Sequence, residues 1–212
     1  MAVEAVIWDF GGVFTSSPFE AFARYERERG LPDGLIRRVN TANPDDNAWA
    51  RFERNAIGAA GFDKLFLEES TALGHPVPGR EVLPLLAGEV RPRMVAALRA
   101  CKARFRVGCI TNNMATPHSP GAALGAVSAM AEIIPLFDAV IESSKAGVRK
   151  PDPRIYLMMC ELLAVPPGAC VYLDDLGINC KPAAALGMRA IKVAGVDQAL
   201  SELSAATGLT FD

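Results

Sequence analysis

Ala5-Val6-Ile7-Trp8-Asp9-Phe10-Gly11-Gly12-Val13-Phe14 is an apolar run that ends in one carboxylate and then turns on two glycines. A strand followed at once by such a turn holds Asp9 at the strand's tip, where backbone amides can surround an anion. In α/β proteins the reactive groups stand just beyond the carboxyl ends of parallel strands. Asp9 is therefore a candidate nucleophile, and the fold follows from whether other strands end the same way.

Four further apolar or β-branched runs do so, at residues 105–110, 139–141, 170–173 and 189–193, the first strand being placed at 3–8. Segments of helical period separate the later ones. Pro92 opens one, with Met94, Val95, Leu98 and Cys101 on a common face; Pro153 opens another, with Ile155, Met158, Met159, Leu162 and Leu163 in step. A third is expected at about 181–186, stopping at Gly187, and a last from Asp197 to just before Gly208. Alternating strand and helix imply an α/β fold, a Rossmann-like parallel sheet covered on both faces.

Residues 16–88 break the alternation. Ser17-Pro18-Phe19-Glu20 reads as a capping box with proline in the first turn, and Gly30 ends that helix. Apolar stripes follow at Leu35, Ile36 and Val39, at Trp49, Phe52 and Ala56, and at Phe62, Leu65 and Phe66, with Asp45 or Asp46 expected to cap the second of these. Four helices in a row without a strand read as an inserted helical subdomain, the core being 1–15 and 89–212. The aromatic residues are read as its core, and Arg51, Glu53 and Arg54 as a solvated face.

Of the 212 residues half are hydrophobic and 22% charged, enough for a substantial core. A formal charge of -2 gives no sign of a nucleic-acid partner or an acidic membrane surface. No segment reaches the roughly 18 apolar residues of a membrane span. No basic region precedes the first strand, so the expected location is cytoplasmic. Cys101, Cys109, Cys160, Cys170 and Cys180 show no C-x-x-C spacing and only two histidines exist, which argues against zinc and for buried, reduced thiols.

Three constellations at strand ends carry chemistry. Ile110-Thr111-Asn112-Asn113 offers a hydroxyl and two amides, donors suited to an oxyanion. Ser144-Lys145-Ala146-Gly147-Val148-Arg149-Lys150-Pro151-Asp152-Pro153 brings a compact cation, Lys150, to the start of a helix, stiffened by prolines. Tyr172-Leu173-Asp174-Asp175-Leu176-Gly177-Ile178-Asn179 ends a strand in paired carboxylates that need a counter-charge, which a hard cation such as magnesium supplies. A nucleophilic carboxylate, a hydroxyl/amide pair, a lysine and an acidic metal pair form the set that phosphoryl transfer through an aspartyl-phosphate requires.

These four motifs, in this order, resemble those of the haloacid dehalogenase-like (HAD) hydrolases. Residues 149–153 (Arg149-Lys150-Pro151-Asp152-Pro153) and 173–183 are similar to the group containing the N-terminal phosphatase domain of soluble epoxide hydrolase and the equivalent domain of some acyl-CoA dehydrogenases. Trp49-Ala50-Arg51-Phe52-Glu53-Arg54 is similar to that group's cap. The resemblance implies Asp9 as nucleophile, Thr111, Asn112, Lys150 and Gly12 around the phosphate, and catalytic roles for Thr111 and Lys150. It implies Mg2+ on Asp9, the Gly11 carbonyl and Asp175, with Asp174 a supporting or additional ligand. Asn179 would orient Lys150 or a metal-bound water. Residues 16–88 would be a mobile cap, and the substrate a small phosphorylated metabolite, the chain being a monomer or homodimer.

One position departs from the family pattern. Most family phosphatases have an aspartate two residues after the nucleophile as general acid and base, and here Gly11 stands there. That side chain is worth typically 10²–10⁴-fold. His75 and His118 read as loop residues, with His118, downstream of Thr111-Asn112, the one substitute acid to test. Gly11 keeps open a rival reading as a binding or regulatory protein with a degenerate site. Dehalogenation of a 2-haloacid needs no metal, and the paired aspartates argue against it.

Overall fold

The computed structural model describes residues 2–86, 88–112 and 131–211. Asn113 and His118 lie outside them.

Five parallel strands, β1 (Ala5–Trp8), β2 (Arg106–Thr111), β3 (Ala139–Glu142), β4 (Cys170–Asp174) and β5 (Arg189–Lys192), form one sheet in the order β3-β2-β1-β4-β5. β1 is the central strand and every residue in it is buried. Its side chains part by alternation. Val6 and Trp8 pack with Met94, Leu98, Leu200 and Leu203 on one face, whereas Ala5 and Ile7 pack with Ile155, Tyr156 and Met159 on the other. Burial on both faces explains why the run reads as continuously apolar. The chain moves from β1 to β2 and β3 on one side, then crosses to β4 on the other. The order thus reverses between β1 and β4, where a crevice opens beyond the carboxyl ends.

Between β1 and β2 the described residues hold five helices before the first helix flanking the sheet: α1 (Pro18–Glu28), α2 (Leu35–Ala42), α3 (Ala48–Glu53), α4 (Ala59–Ala72) and α5 (Gly79–Val82). A 3-10 turn follows at Leu83–Leu86. They share a separate core in which Trp49, Phe52, Phe62 and Phe66 stack on one another and on Leu35, Ile36 and Val39. α5 is one helix more than the apolar stripes suggest, because one turn is too short to show a period. Gly30, at φ 64°, ends α1 as expected.

Two expected caps are corrected. Ser17 occupies the N-cap of α1 but its hydroxyl makes no cap bond. It reaches out of the helix to Asp175 Oδ2, 3.4 Å away. α3 is capped by Asn47, whose Oδ1 accepts from the Ala50 amide at 2.8 Å, while Asp46 pairs with Arg51. Ala56 lies beyond the end of α3 and is exposed. A third interaction of this kind was not anticipated: buried Glu26 accepts from the Gly34 and Ile36 amides at 2.7 and 2.8 Å, supplying the acceptor that Gly34 lacks at the start of α2.

The sheet is covered by α6 (Pro92–Lys102), α8 (Pro153–Leu163), α9 (Gly177–Ala185) and α10 (Val196–Thr207), with a short helix α7 (Ser143–Ala146) after β3. α9 begins four residues before the expected start near Lys181. The amides of Asn179 and Cys180 both close onto Leu176 O, so the helix is wound directly from the Asp174-Asp175 turn, and Pro182 falls inside it. All five cysteines are buried and unpaired by disulfides. Among the described residues no helix is long and apolar enough to cross a membrane.

Candidate active site

Asp9 leaves β1 with its amide bonded to Leu173 O at 2.8 Å, which sets the two carboxyl ends side by side. Asp9 Oδ1 accepts from the Phe10 amide at 2.7 Å and faces Lys150 Nζ at 2.7 Å. The same ammonium donates to Asp174 Oδ2 at 2.8 Å. Lys150 is 1% exposed, Asp174 0% and Asp9 8%, so this is a buried ionic cluster.

Lys150 is clamped at its backbone as well. Its amide donates to Asn112 Oδ1 at 2.9 Å and its carbonyl accepts from Asn112 Nδ2 at 3.1 Å. The side chain of Asn112 therefore ties the end of β2 to the lysine loop. Thr111, the last residue of β2, is buried beside it.

Asp174 is enclosed by donors. Beyond Lys150, it accepts from Tyr172 Oη at 2.5 Å, from the Leu176 amide at 2.8 Å, and from Asn179 Nδ2 at 3.0 and 3.1 Å. Both oxygens are used, and the group acts as the anchor of Lys150. Asn179 thus meets Asp174 rather than the lysine. Tyr172, unnoticed in the sequence as more than a strand residue, is fully buried with its hydroxyl on this carboxylate. Its position two before Asp174, on the same face of β4, was the available signal.

Asp9, Asp174 and Asp175 offer ligand oxygens that all lie within 4.8 Å of one another. Three carboxylates facing one ammonium would, when all are ionised, leave two negative charges uncompensated, the charge of one divalent cation, and oxygen donors are what magnesium takes. Burial raises Asp9 to about 8, with Lys150 pulling it down and Asp174 pushing it further up. Burial, reinforced by Asp174, raises Asp175 to about 6. Burial works to lower Lys150, but Asp174 and Asp9 outweigh it and hold the ammonium above its ordinary value. The donor set and its excess charge fit a hard divalent ion.

Gly12 lies against Asp175, and its carbonyl accepts from Arg91 Nη1 at 2.7 Å. Gly11 is exposed, with open space where a side chain would go. Among the described residues, none of the contacts above supplies a second carboxylate in its place. Glu53, expected on a solvated face, is instead turned to Arg149 in an ion pair whose side chains are 17% and 19% exposed. Burial pushes Glu53 up, against the pull of that guanidinium. Arg51 and Arg54 stay on the segment's own acceptors, Asp46 and Asp45 O.

Comparison with known proteins bears on what this arrangement is for. Residues 3–187 match the family model described as haloacid dehalogenase-like hydrolase. The chain is 32% identical over 214 residues to acyl-CoA dehydrogenase family member 10 of Mus musculus, covering 96% of this chain and 19% of that protein. It is 31% identical over 227 residues to bifunctional epoxide hydrolase 2 of Sus scrofa, covering 99% and 40%. The chain thus spans under half the length of either relative. Phosphatase MT3486 of Mycobacterium tuberculosis is 28% identical over 211 residues, covering 91% of this chain and 88% of that one. A HAD family enzyme of Bacteroides thetaiotaomicron, crystallised with magnesium and inorganic phosphate, shares the fold at a TM-score of 0.61 and 17% identity, over 90% of this chain and 93% of that chain.

Proposed function

The chain belongs to the haloacid dehalogenase-like hydrolase family, and from that premise we propose that it is a magnesium-dependent phosphatase of small phosphomonoesters, with Asp9 as nucleophile. The observation that carries the reading is the bridging of Asp9 and Asp174 by Lys150 beside Asp175, a buried site that lacks two positive charges. Phosphatase MT3486 and the magnesium and phosphate complex of the Bacteroides enzyme support it.

Asp9 and Asp175, with the Gly11 carbonyl, would hold Mg2+, which supplies charge neutralisation at the phosphoryl oxygens. Asp174 serves chiefly to fix Lys150. Asp9 Oδ1 is engaged by Lys150 and the Phe10 amide, so Oδ2 attacks phosphorus; the new O–P bond forms as the ester P–O bond breaks, and the leaving alkoxide takes its proton from solvent water. Water then attacks phosphorus, breaking the aspartyl O–P bond and restoring the carboxylate. Lys150, Thr111 and Asn112 hold the transferring group. Residues 16–88 act as the cap that closes over the crevice, leaving only the attacking water.

The proton that the leaving alcohol needs has no donor at Gly11, so turnover is slow. Gly11 also favours a second reading, a phospho-ligand binding protein that retains the site without efficient chemistry. Hydrolysis of p-nitrophenyl phosphate and a panel of sugar, nucleotide and lipid phosphates, with Mg2+ and with chelator, separates the two. The phosphatase reading expects metal-dependent release that Asp9→Asn abolishes. Release that survives Asp9→Asn overturns it, and metal-dependent phosphate binding without turnover favours the second.

A further inference from the structure

Arg149 immediately precedes the lysine of the site, and its side chain is bonded to the helical segment. Its guanidinium meets Glu53 at the end of α3 and donates to Pro44 O at 2.9 Å. A third tie runs between the same two regions, from Ser143 Oγ on α7 to Glu53 O at 2.7 Å. Residues 44–53 are thus bonded to residues 143–149 at three points. The ion pair is largely withdrawn from water, where such a pair is costly to break from one side.

The other side of the same loop belongs to the core, through the two Asn112 bonds to Lys150. Arg149 and Lys150 are consecutive, so the backbone is held by the helical segment at one residue and by β2 at the next. Movement of α3 away from the sheet would pull on the residue next to the ammonium. A guanidinium that divides its two nitrogens between Glu53 and Pro44 O suits such a joint better than a lysine would, because its planar fork fixes direction as well as distance.

We propose that Arg149 is a positioning residue: its pairing with Glu53 couples docking of the helical segment to the placement of Lys150. The consequence rests on the phosphatase reading only for its effect on rate; the coupling itself is a property of the two segments. When α3 is docked, Lys150 is set between Asp9 and Asp174. When α3 lifts, the loop loses one of its two holds.

The test uses the full chain with Mg2+ and compares Glu53→Gln, Arg149→Lys, both together, and the reversed pair Glu53→Arg/Arg149→Glu, with circular dichroism confirming folding. Hydrogen–deuterium exchange reads the amides of residues 45–54 and of Lys150, and p-nitrophenyl phosphate hydrolysis reads kcat and KM. Glu53→Gln is expected to speed exchange in both segments and to lower kcat about tenfold with KM changed less than about twofold, the pattern of lost positioning. The double variant should be no worse than the worse single one, and the reversed pair should recover part of both readouts. Arg51→Gln, which removes an exposed pair on the same helix, should move neither. Unchanged exchange at Lys150 in folded Glu53→Gln overturns the proposal, as do strictly additive effects. If the wild-type chain hydrolyses nothing, the proposed function fails while the exchange measurement still decides the coupling.

Discussion

Gly12 and Asp175 fit each other so closely that a side chain at the first would have to push the second aside. A methyl group built there would lie 2.1 Å from Asp175 Oδ2, and the backbone has φ +72°. Gly12→Ala must therefore displace the carboxylate as well as adopt a left-handed conformation that costs roughly 1–2 kcal/mol in any other residue. The variant should fold with a lowered Tm and should lose most of its Mg2+ binding, measured by titration calorimetry. Full retention of binding would show that Asp175 is not a ligand.

Gly11, one residue earlier, is the opposite case. Nothing lies within 4 Å of a Cβ there, and its φ is not in the left-handed range. Gly11→Asp should be accommodated without loss of stability. If the missing acid limits turnover, kcat should rise by about tenfold or more, part of the 10²–10⁴ that a placed acid supplies. A stable variant with unchanged kcat would mean that proton transfer is not the slow step.

Asp174 and Lys150 are both shielded from solvent, so removing Asp174 takes away one of the two carboxylates that neutralise the buried ammonium. Asp174→Ala should destabilise the fold by about 3–5 kcal/mol, the usual cost of breaking a buried pair from one side. Urea unfolding checks this. Tyr172→Phe, which removes one donor to Asp174 and leaves Lys150 in place, should cost only about 1.5–3 kcal/mol.

The raised carboxyls make metal binding pH-dependent. With Asp9 at about 8 and Asp175 at about 6, the first is protonated and the second partly so in the apo protein at pH 5.5, and a bound cation must displace those protons. Magnesium should therefore raise Tm more at pH 8 than at pH 5.5. In chelator the sign is opposite. A carboxyl whose folded value lies above its unfolded one favours the fold below the unfolded value, near 3.8. That contribution is lost as pH rises towards the folded value. Apo stability from this site should fall between about pH 4 and pH 8, and thermal melts with and without metal should diverge over that window.

Much of this was legible from residues alone. The alternating strands and helices announced the parallel sheet, because a strand buried on both faces must be apolar along its length. Asp9, Thr111, Asn112, Asp174 and Asp175 stood out because they close such runs, where strand ends converge whatever the intervening loops do, and Lys150 as a cation held by prolines before the next helix. Local hydrogen bonding was harder to read. Ser17 had the spacing of a cap and spends its hydroxyl on Asp175; Asp46 had the chemistry of a cap and pairs with Arg51.

The sequence by itself determined which residues could meet, since periodicity and strand ends are local properties of the chain. Tertiary structure alone decided what each one does after meeting. It gave Asp174 to Lys150, Tyr172 and Asn179, opened the space beside Gly11, and turned Glu53 from solvent to Arg149. The reason is that a side chain's partner depends on distances between segments far apart in the chain, and nothing in local spacing encodes them.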